Sequence, residues 1–114
     1  MLIEGTPGAE VVEELSPRPD EPVVMKHTTS PFYTTDIGVY LRPYGITTLI
    51  LTGYSTTGVV EGSLRNARDQ DYDCVVGRDC CAAAALQEHE TCIDIIFPRM
   101  GWVASADNVI AAIT

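Results

Sequence analysis

The run "ITTLILTG", residues 46–53, constrains this chain more than any other stretch. It is nearly continuous in apolar and β-branched residues, the pattern of a strand covered on both faces within a parallel sheet. An antiparallel sheet with one wet face would alternate instead. Directly after it, "TGVVEGSLRNARDQD" restores a helical period through Val60, Leu64 and Ala67. Parallel strands cannot be joined by tight hairpins, so the rest of the chain is expected to alternate strands with crossover helices.

The remaining segments fit that expectation. "PVVMKH", residues 22–27, is a short apolar run bounded by Pro22 and the polar "HTTS", and it predicts a buried strand with Lys26 at its C-terminal end. "TTDIGVYLRPYG" sets Ile37, Tyr40 and Leu41 at helical spacing behind a Thr cap, with Asp36 in the first turn and Pro43 and Gly45 closing it. "YDCVVGRD" predicts a strand, "AAAALQEHETCIDII" a helix stopped by Pro98, "GWVAS" a short strand and "ADNVIAAI" a last amphipathic helix. Residues 1–22 are rich in Pro, Gly and Glu and read as a loop holding at most one helical turn. The expectation is one α/β domain over 1–114, a loop over 1–22 followed by alternating strands and helices over 23–114 in three layers around a parallel sheet. Ligands of such folds sit beyond the carboxyl ends of the strands, which groups Lys26, the "TGYSTTG" turn and the "GRDCC" turn on one edge.

Charge narrows the partners. With 16 acidic residues against 7 basic ones the chain carries a formal −9 and repels phosphate backbones and anionic lipid, so neither nucleic acid nor a membrane is an expected partner. No apolar run is long enough to span a bilayer, and the first residues lack a basic and an apolar leader region, so a cytoplasmic location is expected. The four cysteines, Cys74, Cys80, Cys81 and Cys92, show neither a disulfide framework nor paired zinc-ligand spacing, and His27 and His89 are the only histidines. Free thiols, no metal and no cofactor are the expectation.

A Gly followed by small hydroxyl residues at a strand-to-helix turn lets the backbone bend sharply and aims helix N–H groups outward, as an oxyanion site requires. A thiol on the first turn of that helix would be activated by the dipole and by a nearby cation such as Lys26. The chain places no cysteine there. Ser55, Thr56 and Thr57 suit helix capping, and Ser55 as a substitute nucleophile would need a positioned base. Cys80 and Cys81 read as packing groups in a tight turn, Cys74 and Cys92 as small hydrophobes, His89 as a solvated helix residue, and His27 as a possible ligand contact beside Lys26.

"KHTTSPFYTTDI", the stretch from "GITTLILTGYSTTG" to "GRDCCAA", and "EHE" together resemble, in order and spacing, the isochorismatase-like cysteine hydrolases, whose relatives include N-carbamoylsarcosine amidases and nicotinamidases. The family's K-x-x-x-S-x-F-x-x-T-x-L pattern is similar to Lys26, Ser30, Phe32, Thr35 and Ile37, and the resemblance implies that Lys26 descends from a catalytic lysine. Its nucleophile pattern, G-x-[AS]-T-x-x-C-V-x-x-[ST], lines up with Gly53, Ser55, Thr56, Val59, Val60 and Ser63, so Val59 stands where the nucleophilic cysteine is expected. The resemblance further implies a substrate or oxyanion role for Ser55, Thr56 and Phe32. It also implies an ancestral hydrolysis of C–N bonds in small amides, and a first strand with a catalytic Asp that this chain does not contain. From this follow a catalytically impaired or inactive domain with a small amide as its ligand and, as the alternative, a non-catalytic subunit pairing with itself or with an intact homologue. The family's sheet order leaves a gap between the Lys26 strand and "TLILTG", to be closed by that strand moving in, by a second chain, or by residues beyond this sequence.

Overall fold

A computed structural model describes residues 2–114. Its centre is a parallel sheet of three strands in the order β1 (Thr48–Tyr54), β2 (Asp73–Ala82), β3 (Trp102–Ala104). Four helices accompany it: α1 (Ile37–Leu41), α2 (Glu61–Asp69), α3 (Leu86–Thr91) and α4 (Ala106–Ile113). The α3 helix continues through an irregular turn, Cys92–Ile96, into a short 3-10 turn at Phe97–Arg99, where Pro98 ends it. The strand and helix alternation expected from residue 46 onward is therefore present.

Register explains which side chains form the core. Leu49 is opposite Cys74, and Leu51, Val76 and Val103 lie in line across the sheet, all on the face covered by α2 and the Cys92–Phe97 segment. There Val60, Leu64, Ala67, Cys74, Val76, Cys92, Ile93 and Phe97 are buried. Each fully buried aliphatic or aromatic side chain contributes about 1.5–3 kcal/mol relative to exposure. Gly101 permits this packing, because a Cβ there would stand 2.6 Å from the Cys74 carbonyl oxygen. Ser105 begins α4 by accepting from the Asn108 N–H at 3.2 Å, and Asp79 Oδ1 accepts the Ala106 N–H at 2.7 Å.

Three expectations are corrected. First, residues 22–27 are not a strand; they are coil ending in a bend at His27, with no ladder partner among the described residues, where β1 pairs only with β2. The Lys26 segment has not moved in beside β1, and a β-branched run without a neighbouring strand has nothing to satisfy its backbone. Second, β1 is covered on one face only: Ile50 is 45 % exposed on the side away from the core. Third, Cys80 and Cys81 lie within β2 rather than in a turn, because a register shift between Leu51 and Gly53 lets Gly53 and Tyr54 pair with Cys81 and Ala82. The N-terminal segment is a loop, but it holds two 3-10 turns, Pro7–Ala9 and Glu13–Leu15, where at most one helical turn is expected. Among the described residues no helix is long and apolar enough to cross a membrane.

Candidate functional site

The turn from β1 to α2 is the most constructed part of the surface. Gly53 has φ +131, the Tyr54–Ser55 peptide is cis, and Gly58 has φ +84, a conformation that side-chain-bearing residues rarely adopt. Thr57 is extended at φ −76 and ψ 138, so Thr56–Val60 is a kinked turn rather than a continuous first helical turn. The Val60 N–H closes it onto the Ser55 carbonyl at 3.0 Å.

The hydroxyls of Ser55, Thr56 and Ser63 are already engaged. Ser55 Oγ donates to the Thr57 carbonyl. Thr56, fully buried, holds its Oγ1 2.7 Å from His89 Nδ1 on α3. Ser63 Oγ donates to the Val59 carbonyl at 2.6 Å, one turn into the helix. No carboxylate among the described residues hydrogen-bonds to residues 53–60. The start of α2 is favourable for negative charge, but Glu61 occupies its first turn and pairs with Arg65 at 2.9 Å. An anionic ligand there would meet a carboxylate.

Val59 is half-buried on this turn. Cys81 in the sheet is half-buried and paired in register with Gly53. Burial pushes the Cys81 thiol up from the ordinary range, a hydrogen bond with the Gly53 backbone opposes this, and the neighbouring Cys80 and Asp79 reinforce it. Cys92 is also raised, chiefly by burial and then by Glu61, whose Oε2 lies 3.9 Å from its sulfur. Burial, with Asp73 beside it, raises Cys74 as well. All three are held as neutral thiols at neutral pH, the opposite of an activated nucleophile.

The sequence-predicted residues make different contacts. Thr29 and Ser30 pack on the first turn of α2, where a Cβ on Gly62 would meet Thr29 Oγ1 at 3.5 Å and Ser30 Cβ at 3.9 Å, and Thr29 also reaches the turn before it, where a Cβ on Gly58 would meet its Cγ2 at 4.0 Å. Lys26 donates from Nζ to the Thr28 carbonyl at 3.0 Å and lines a cleft of about 550 Å3 with Glu4, Val11, Met25 and His27, a cleft to which no residue of 53–60 contributes. Phe32 meets Tyr72 at a tilt of 40°, ring centroids 5.9 Å apart, beside the amino end of β2, and packs against the core. His89 is the contact sequence reasoning missed. A histidine flanked by glutamates on a helix gives no local sign of a partner 33 positions away. A second cleft of about 460 Å3 adjoins the turn, lined by Thr57, Glu61, Ala85, Glu88, Cys92 and Ile96. Among the described residues no group of three His, Cys, Asp or Glu side chains is placed to hold a metal ion.

Comparison with known proteins agrees with the geometry. Residues 1–108 match the model of the isochorismatase domain. YecD, an isochorismatase family protein of Escherichia coli O157:H7, is 36% identical over 90 residues, covering 79% of this chain and 48% of its own length. Maleamate amidohydrolase of Pseudomonas putida is 28% identical over 107 residues, 94% of this chain and 50% of that protein. The crystal structure of an isochorismatase-like hydrolase from Alkaliphilus metalliredigens superposes with a TM-score of 0.93 at 30% identity, over 99% of this chain and 63% of that one. The chain thus spans about half the length of these curated relatives. Its three-strand parallel sheet, its kinked strand-to-helix turn and these matches together make this chain a member of the isochorismatase domain family.

Proposed function

We propose that this chain is an isochorismatase-family domain that keeps the frame of a small-amide hydrolase, works in the cytoplasm and does not turn amides over by thiol chemistry. The observation that carries the reading is Val59, half-buried on the turn that the family pattern assigns to the nucleophile. In thiol-dependent amide hydrolysis the sulfur attacks the carbonyl carbon, the amine leaves with a proton, and water then cleaves the thioester. An isopropyl group supplies neither the electron pair nor the proton. No neighbouring group substitutes: Ser55 is bonded to the turn's own backbone, Cys81 and Cys92 are raised thiols, and Lys26 faces a different cleft. Lys26 is then a retained lysine without a developing negative charge to stabilise.

The test is ammonia release. Incubation with small primary amides, maleamate among them, is expected to give no release above buffer, and a fluorophosphonate probe is expected to leave Ser55 unlabelled. Release that disappears in Ser55→Ala would overturn the reading.

A second reading, assembly with another copy or with a longer homologue, is favoured by surface area. The molecule exposes 8173 Å2, about a third more than the ~6,100 Å2 usual for a folded monomer of 12.4 kDa. Sedimentation velocity reads it directly: self-assembly gives a species heavier than the single chain.

A further inference from the structure

The hydrogen bond between Thr56 and His89 can run in only one direction. Its length of 2.7 Å suits donation either way, so the surroundings decide. Thr56 is 0 % exposed, and water does not reach its hydroxyl. Among the described residues that hydroxyl has no hydrogen-bond partner other than His89 Nδ1. A neutral imidazole carries its proton on one of its two nitrogens. With the proton on Nδ1 the ring would donate to Thr56, and the Thr56 hydrogen would be buried without an acceptor. With the proton on Nε2, Nδ1 accepts that hydrogen and both groups are satisfied.

The bond joins two elements that are far apart in the chain. His89 is half-buried while the other residues of α3 are exposed, so this ring is the side chain that α3 turns toward the body of the domain. At the other end, Thr56 begins the kinked segment that carries Val59 and closes with the Val60 N–H on the Ser55 carbonyl at 3.0 Å. Ser55 and Ser63 bond only to carbonyls of their own turn, within four positions, so neither ties the segment to another element. Thr56 does.

We propose that His89 is a positioning residue for the turn between β1 and α2: its ring is held as the Nε2–H tautomer, Nδ1 accepts from Thr56, and this bond fixes the segment bearing Val59. The proposal rests on the reading of residues 53–60 as the site and is independent of whether that site turns over amides. The hold is chemical rather than one of bulk. An acceptor at the place of Nδ1 maintains it, and an apolar side chain of similar size does not.

Long-range proton–nitrogen correlation NMR on the 114-residue chain at about pH 8, together with hydrogen exchange at the Val60 amide, tests the proposal. The wild type is expected to show His89 as the Nε2–H tautomer and a protected Val60 amide. His89→Asn sets an oxygen acceptor at the place of Nδ1 and is expected to keep most of that protection, whereas His89→Leu is expected to lose it at least about tenfold. Thr56→Ser keeps the hydroxyl and should preserve the tautomer; Thr56→Val should release it to the mixture of a free ring. Circular dichroism with a cooperative melt establishes that the variants fold. A proton on Nδ1 in the wild type would overturn the proposal, and so would a Val60 amide no better protected in His89→Asn than in His89→Leu. Neither readout involves ammonia release, so this proposal and the account of amide turnover can fail separately.

Discussion

"PVVMKH" and "TLILTGY" are two short apolar runs with β-branched residues, and they end in opposite states. Residues 48–54 form β1, hydrogen-bonded along β2, with Leu49 and Leu51 against the core. Residues 22–27 are coil that pairs with no strand among the described residues, and they leave Val23 and Met25 at 65 % and 58 % exposure. What separates them is the neighbour. The α2 crossover returns the chain so that β2 lies beside β1, whereas no strand of the described residues lies beside Pro22–His27. Strand propensity is a fit to a pleated, half-buried surface, and without that surface it yields no strand.

Substitutions on the two sides should differ by an order of magnitude. Phe97→Ala, at a fully buried position of the sheet side, is expected to cost about 3–5 kcal/mol in a urea unfolding series. Gly101→Ala drives a methyl against the Cys74 carbonyl at 2.6 Å and should cost about 1–3 kcal/mol by the same measurement. His89→Ala strands the buried Thr56 hydroxyl and should cost about 1–3 kcal/mol; a Thr56→Val, His89→Ala pair recovering part of that loss would identify the hydrogen bond as the cause. Val23→Ala and Leu15→Ala, on the unpaired side, should stay within about 0.5 kcal/mol. Equal losses on both sides would break the comparison.

Thiol labelling sharpens it further. Cys80 is exposed and should react first with a maleimide, while Cys74 and Cys92 are buried. Raised pKa values mean that the labelling of Cys81 and Cys92 keeps accelerating as pH climbs past 9.0, because the thiolate fraction is still rising there. A Cys81 rate that levels off below neutral pH would contradict its burial-raised thiol.

From Thr48 onward the fold was legible because period and punctuation agreed: Leu64 and Ala67 on α2, with Val60 just before it, are buried, and Pro98 does end the helix. Before it, the same kind of signal at Val23–Met25 misled, since no single run states whether a partner strand exists. The extension of β2 through Cys80–Ala82 was hidden for a related reason, as it depends on a register shift opposite Gly53. In the site, the Gly and hydroxyl residues of 53–58 announced a constructed turn, and the structure supplies one. The His89–Thr56 contact, the Lys26 bond to the Thr28 carbonyl and the Phe32–Tyr72 pair are matters of three-dimensional placement.

The central claim is that the turn keeps a hydrolase frame without working parts. The most direct test is to install the sulfur: Val59→Cys, assayed beside the wild type for ammonia release from small amides. The account predicts that the new thiol is alkylated by iodoacetamide and yet releases no ammonia, because no carboxylate among the described residues bonds to the turn and Lys26 donates elsewhere. Thiol-dependent turnover by Val59→Cys would contradict it, since one side chain would then have been all that the site lacked.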